Sequence, residues 1–234
     1  MLSSYSREAL KKVSTATLTT VLFKRGLRNV FIQGIFLLNR GAPRMVGEAF
    51  TLRYIPARED VDQLGAFEGR GHAQREAIEA CPPGHVLVMD ARRDASAATG
   101  GDILMTRLMV RGVSGVVTDG GLRDSPTIEK LDWPAYCGAR SAPLNLVRHH
   151  AVESQVPIGC GGVAVYPGDV VVGDAEGVVV IPAKMAEEVA KEAQAQTEFE
   201  DWVEAKVKEG RSIFGLYPPN AETKAEFEAY KKRR

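Results

Sequence analysis

Apolar and polar positions alternate along this chain in two rhythms, one helical and one strand-like. Residues 7 to 26 carry a helical pattern, with Ser6 placed to cap its start and Gly26 to stop it. The Thr- and Val-rich piece TATLTTVLFKRG gives that helix only modest intrinsic propensity. VGEAFTLRYI (46 to 55) reads as a strand bounded by Pro56. RGHAQREAIEA (70 to 80) is built of good helix formers and is broken by Pro82, Pro83 and Gly84. HVLVMDA (85 to 91) is a short apolar run of the buried-strand type. A pattern then repeats. Gly100, Gly101 and Asp102 precede a helix over 103 to 112, followed by a strand GVVTDG (115 to 120). A loop Gly121-Leu122-Arg123-Asp124-Ser125-Pro126 leads to a helix over 127 to 132 and a strand over 134 to 138. Strand, glycine loop, helix and strand in that order predict βαβ units and an α/β fold.

His149 and His150, after Arg148, are expected in a helix. Beyond residue 155 the chain is dense in Val and Gly, with turn signals at PGD (167 to 169) and GDAEG (173 to 177). This predicts a β-meander completing a mixed sheet. From Ala183 to Gly210 the pattern is helical and polar. Met185, Val189 and Ala193 are spaced to pack on the sheet, and Phe199, Trp202, Val203 and Val207 continue the stripe. That later stripe predicts a projecting helix docked on a neighbouring subunit, and PPNAETKAEFEAYKKRR is expected as a loose tail or subunit clasp. The division expected is an α/β domain over 1–190 and a C-terminal helical extension over 191–234.

Composition narrows the function. The 234 residues suffice for a buried core without staples, and 44% hydrophobic with 26% charged is ordinary for a globular chain. Lys plus Arg and Asp plus Glu are 30 each, so the basic excess of a sequence-independent nucleic-acid binder is missing. No apolar run reaches the roughly 20 residues of a bilayer span, and MLSSYSREALKKV lacks the apolar core of a secretory leader. Cys81, Cys137 and Cys160 are three scattered residues with no CxxC pair, read as reduced thiols in a cytoplasmic protein.

Two loops carry candidate chemistry. Gly100-Gly101 before a helix start lets main-chain N–H groups approach a ligand, and the helix terminus favours a carboxylate or phosphate. The bland alternative is a capped helix with Asp102 as cap or first-turn residue. Arg123 can grip a carboxylate bidentately and stabilise a developing enolate oxygen, and Asp124 is a hard oxygen donor suited to Mg²⁺ or Mn²⁺. The alternative there is a surface turn with Asp124 capping the next helix, or a local ion pair. Both loops follow candidate strands of one parallel sheet, so both should open at one edge. Together they fit metal-assisted chemistry on a small oxo-acid. His72 with Arg75, after a glycine loop, is a candidate for a substrate tail or for plain solvated capping. No zinc spacing involves His149 or His150, and Ser125 lacks a nucleophile's partners.

At Gly101-Asp102-Ile103-Leu104 and Asp119-Gly120-Gly121-Leu122-Arg123-Asp124 the chain resembles the RraA-like superfamily, which includes class II 4-hydroxy-4-methyl-2-oxoglutarate aldolases. The family pattern sets twenty residues between an Asp and Arg-Asp, as between Asp102 and Arg123, and the resemblance runs from about Ser14 to Pro182. It implies a swivelling β/β/α fold, homotrimers or hexamers with sites between subunits, and a divalent metal, Mg²⁺ or Mn²⁺. It also implies that Gly101 to Leu104 and Arg123 hold pyruvate or its enolate. Asp124 would bind the metal, Asp102 would orient metal-bound water, and Glu198 or Glu200 of a neighbour would complete the shell. The pattern's final acid falls at Thr127, with Glu129 the nearest substitute. The expected activity is a metal-dependent pyruvate aldolase with oxaloacetate decarboxylase activity. The alternatives are a non-catalytic regulator binding RNase E, and a sugar-acid lyase or dehydratase.

Overall fold

The computed structural model describes residues 2–233. The chain opens with helices α1 (Ser4–Leu10) and α2 (Thr15–Lys24) and a short strand β1 (Phe36–Leu37). The long strand β2 (Met45–Pro56), helix α3 (Ala73–Ala80), strand β3 (Val86–Asp90), helix α4 (Asp102–Val110) and strand β4 (Gly115–Thr118) follow. Next come β5 (Gly121–Leu122), the single-turn α5 (Ser125–Ile128), β6 (Ala135–Cys137), β7 (Ala139–Arg140) and β8 (His149–Ser154). β9 (Ile158–Cys160), β10 (Val163–Val165), β11 (Val170–Gly173) and β12 (Val178–Ile181) lead into α6 (Ala186–Lys208) and α7 (Ala221–Lys232).

One mixed eight-stranded sheet organises the molecule, in the order β1-β6-β4-β3-β2-β11-β12, with β8 also on β2. β2, β3, β4 and β6 are mutually parallel, and β1, β8, β11 and β12 join antiparallel. Valine-rich runs without polar alternation suit strands covered on both faces, and every residue of β4, β11 and β12 is buried. Over one face α3 and α4 pack Ala77, Ile78, Met105 and Leu108 onto Leu52, Leu87 and Val116. α1, α2 and α6 cover Val46, Val170, Val172 and Val179. A third apolar layer joins Ile158, Cys160, Val163 and Val165 of the β9–β10 hairpin to Val86, Val88 and Tyr136. No described helix is long and apolar enough to cross a membrane.

Several expected elements change. The stretch 7 to 26 is two helices, because Ser14 begins a second one: its Oγ accepts the Thr17 amide. Ser3, not Ser6, caps α1, and Ser6 Oγ instead donates to Glu187. His149 and His150 begin a strand, since Pro56 and Ile55 of β2 offer an unpaired edge that β8 completes. The segment after Pro219 is a helix capped by Asn220, not a loose tail. α7 folds back so that Phe227 and Leu216 cover Trp202 and Val203 of α6, with Phe199 packed alongside. The aromatic stripe read as a docking face is therefore covered from within the chain, leaving Val207 40% exposed.

Candidate active site

The two glycine loops meet at the C-terminal edge of the parallel strands. β3 ends at Asp90, and the segment after it leads to α4. β4 ends at Thr118, and the next turns lead through β5 to α5. Main-chain bonds zip the two together: Thr99 N–H donates to Gly121 O (2.8 Å), Gly121 N–H to Ala97 O (3.1 Å) and Arg123 N–H to Gly100 O (3.0 Å). Beneath them buried Asp119 accepts the amides of Ala91 (2.6 Å), Arg93 (3.1 Å) and Gly161 (2.9 Å). Burial pushes the Asp119 carboxyl above its usual range, against those three bonds.

A cleft of about 290 Å³ opens here. Gly100 to Leu104, Arg123 and Asp124 line it together with Gln74, Arg75, Phe67, Ala98, Leu144 and Asn145. Gly101 caps α4 with extended backbone and no side-chain cap. Asp102 is the first helical residue, and its Oδ1 accepts the Ile103 amide at 2.8 Å. The amides of Gly101, Asp102 and Leu104 find no acceptor among the described residues. They leave a helix terminus with free donors facing a concave surface, which suits an anionic oxygen. Arg123 and Asp124 are each 42% exposed at the side chain, with Nε and Oδ2 3.3 Å apart. Such an open pair contributes little stability, so both groups can turn to a ligand. Asp124 sits at the start of α5 in the left-handed region (φ 54°) and makes no capping bond.

The structure separates some expected participants from this cleft. His72 does not line it: the ring lies 4.9 Å from that of Phe67, and burial, then Arg75 and His150, hold its pKa below the usual histidine value. Arg75 does line it, its guanidinium 4.7 Å from the Phe67 centroid. Thr127 is exposed on α5, and Glu129 is committed to Arg140 at 2.9 Å. Glu200 is held by Thr17 (2.9 Å), Gln196 (2.9 Å) and Tyr217 (3.3 Å), whereas Glu198 is exposed with no side-chain bond among the described residues. Burial pushes the Cys81 and Cys137 thiols up to about 12, so neither is a nucleophile at neutral pH. Sequence reasoning missed Phe67, Leu144 and Asn145, which stand in or beside short 3-10 turns without periodic or motif signal.

Two carboxylates, Asp102 and Asp124, border the cleft beside its free amides. This is a hard-oxygen donor set of the kind that holds Mg²⁺ or Mn²⁺ with retained waters, so the residues fit a divalent cation. Gly101 makes room for it: a Cβ there would lie 2.7 Å from Asp124 Oδ2. Among the described residues no cluster of three or more His, Cys, Asp or Glu side chains forms.

A family model described as RraA-like (Aldolase/RraA) matches residues 15–180. The chain belongs to the RraA-like family. A "Putative 4-hydroxy-4-methyl-2-oxoglutarate aldolase" from Halalkalibacterium halodurans is 37% identical over 134 residues, 56% of this chain and 63% of that relative. The match thus spans less than two thirds of that relative's length. Among solved RraA-like folds, RraAS2 of Streptomyces coelicolor, described as an unusual member of the RNase ES inhibitor RraA protein family, superposes with TM-score 0.76. It is 30% identical, and the alignment covers 86% of this chain and 96% of that one. An uncharacterized protein from Pseudomonas syringae reaches TM-score 0.81 at 26% identity, covering 92% and 94%.

Proposed function

We propose that this RraA-like protein is a divalent-metal-dependent carbon–carbon lyase. It cleaves 4-hydroxy-2-oxo acids to pyruvate and a carbonyl compound, and it decarboxylates oxaloacetate. The observation that carries this reading is the convergence, in one cleft, of unpartnered α4 amides, the half-exposed Arg123 guanidinium and two carboxylates. The kinship with a relative named as an aldolase supports it.

Arg123 and the first-turn amides bind the carboxylate and 2-oxo oxygens of the substrate. When the C3–C4 bond breaks, its electron pair moves toward C2 and the 2-oxo oxygen becomes an enolate. Donors already aimed at that oxygen stabilise the charge as it develops, which is where binding lowers the barrier. Asp124 would hold the cation, which when bound supplies Lewis-acid stabilisation of the same developing charge. The free oxygen of Asp102 orients a water that accepts the C4 hydroxyl proton and later returns a proton to C3. In oxaloacetate the departing group is CO₂ and the same enolate forms, so one arrangement serves both substrates.

The assembly that fits this reading is a homotrimer or hexamer in which a neighbour's C-terminal helix adds a third acid. Glu198 suits that role better than Glu200, whose oxygens are already engaged within the chain.

A coupled pyruvate assay on oxaloacetate and a panel of 4-hydroxy-2-oxo acids, with Mg²⁺ or Mn²⁺ and then with chelator, tests the reading. Arg123→Ala is expected to lower kcat by about 10² to 10³. Asp124→Ala is expected to abolish both turnover and the response to metal. Glu198→Gln should weaken the metal response more than Glu200→Gln does. Near-normal pyruvate release by purified Arg123→Ala would overturn the assignment. The similarity to RraAS2 favours a second reading, a regulator that binds a ribonuclease of the RNase E type. Absence of turnover across the panel, with direct binding to purified RNase E, would decide for it.

A further inference from the structure

Away from the glycine loops, a cavity of about 590 Å³ lies between α2, α6 and the turn into α7, about twice the volume of the cleft at Arg123. The RraA-like match ends at residue 180, so Thr20 and Lys24 are the only lining residues within the matched region. The rest come from the C-terminal helices where they fold back on α2, a docking fixed by Thr17 Oγ1, which donates to Glu200 at 2.9 Å. Phe199 and Phe227 make one corner of the cavity, their rings crossing at 78° with centroids 5.1 Å apart. Tyr217 and Pro218 add rigid apolar surface, and Tyr217 is 50% exposed. The Tyr217 hydroxyl is engaged by Glu200 (3.3 Å), which does not line the cavity, so the ring is what Tyr217 offers.

Two ammonium groups border this apolar surface. Lys24 comes from the last turn of α2 and Lys224 from the first turn of α7. Neither makes an ion pair among the described residues, and the contact of Lys24 Nζ with Gln196 Oε1 is a long 3.4 Å. Charges close by are matched instead: Arg25 holds Glu188 and Glu192, and Lys231 holds Glu228, the one acid on the cavity lining. Two unanswered cations leave the cavity positive. Its volume lies within the range of about 300–1,000 Å³ typical of sites for small organic ligands. Rings below and ammonium groups at the edge select a molecule that is flat and apolar at one end and anionic at the other. Glu198 belongs to a different depression of α6, with Asp201 and Trp202, so a neighbour docked at Glu198 does not require this cavity.

We propose that this cavity is a binding site for a small aromatic carboxylate. The ring packs into the corner made by Phe199, Phe227 and Tyr217, and the carboxylate is met by Lys24 and Lys224. Such a ligand ties α2 to the start of α7 and so holds the C-terminal hairpin on the sheet domain. The proposal is independent of the lyase reading and places no part of the ligand at Arg123.

The test titrates 2-naphthoate calorimetrically into the full chain, as wild type and as Lys24→Gln, Lys224→Gln, Tyr217→Ala and Arg123→Ala. Wild type should bind 2-naphthoate about tenfold more tightly than uncharged 2-naphthamide or ring-free octanoate. Each lysine variant should lose about three- to tenfold, as for one charged contact at an open site. Tyr217→Ala should lose a similar factor through lost ring contact, about two- to tenfold. Both lysines are exposed, so their variants keep the fold. Arg123→Ala should bind the probe as wild type does, which separates this cavity from the cleft. Bound probe should also slow hydrogen exchange over 221–232 and leave 100–124 unaltered. No binding by wild type up to about 1 mM, equal binding of 2-naphthamide or octanoate, or unchanged affinity in both lysine variants would overturn the proposal. Loss of binding in Arg123→Ala, or protection confined to 100–124, would also overturn it, because either result puts the probe in the cleft.

Discussion

A Cβ on Gly101 would lie 2.7 Å from Asp124 Oδ2 and 3.0 Å from Arg123 Cγ. Both neighbours are movable side chains, and the backbone at φ −127° is open to any residue. Gly101→Ala should therefore displace the two side chains and spare the fold. Misplacement by about 1 Å costs on the order of 10² in rate, so kcat/KM on oxaloacetate should fall by about that factor while Tm moves less than about 2 °C. A matched drop in Tm would show that the glycine serves folding instead. Gly121 makes the contrast. A Cβ there would meet Ser141 Cβ at 2.5 Å and Ala97 O at 2.9 Å, neither of which can yield, so Gly121→Ala should destabilise the protein. At this scale the sequence was informative where chemistry and spacing coincide, at Gly100 to Leu104 and Arg123-Asp124. It was silent on Asn145, because an asparagine after Pro143-Leu144 matches no pattern. What distinguishes it, a buried amide without a partner, exists only once the chain is folded.

Elements were legible where burial is continuous and ambiguous where a partner decides. β3 and β4 read directly from VLVM and GVVT, since an apolar run of that length with turn residues on both sides has few other fates. β8 did not, because HHAVES has no strong preference and is drawn into a strand by the open edge of β2. The C-terminal helices depend on each other in the same way. α7 is charged on most of its surface, and its hold on α6 is the cluster of Phe227 with Phe199 at 5.1 Å and Trp202 at 5.4 Å between ring centroids. Phe227→Ala removes the centre of that cluster, a change worth about 3 kcal/mol for a buried ring. Because the cluster is separate from the sheet core, the loss should be local. Hydrogen exchange should quicken over 221–232 and the adjoining face of α6, with β2 to β4 unaltered. Global unfolding at the same midpoint as wild type with unchanged α7 protection would refute that picture.

For the molecule as a whole, the parallel order β6-β4-β3-β2 is what brings loops twenty residues apart to one edge, and sequence supplied the βαβ logic for it. The placing of β11 and β12 beside the first half of β2, and of β8 beside its second half, was not readable, since antiparallel partners are chosen by edge availability over long separations. One histidine ties that distant strand to the site. His149, fully buried at the start of β8, accepts from Arg92 Nη2 on Nδ1 (3.2 Å) and donates from Nε2 to Ala97 O (3.3 Å). This is the bonding of a neutral ring, and burial together with the Arg92 guanidinium holds its pKa below the usual value despite the Ala97 bond. His72 is shifted the same way. A group whose pKa is lower folded than unfolded binds its proton in the unfolded chain first. Stability from these residues is thus complete above the unfolded value of about 6.5 and declines as pH falls below it. Protonating Nδ1 would also set a cation against Arg92 and free the 91–99 segment that holds Gly100 and Gly101 in place. The denaturation midpoint should therefore be level from about pH 7.5 to 7 and drop by pH 5.5, with pyruvate release declining over the same interval. In His149→Gln, which cannot titrate, the drop between those pH values should shrink to the His72 contribution. An undiminished drop in that variant would place the acid sensitivity elsewhere and break the proposed link between β8 and the site.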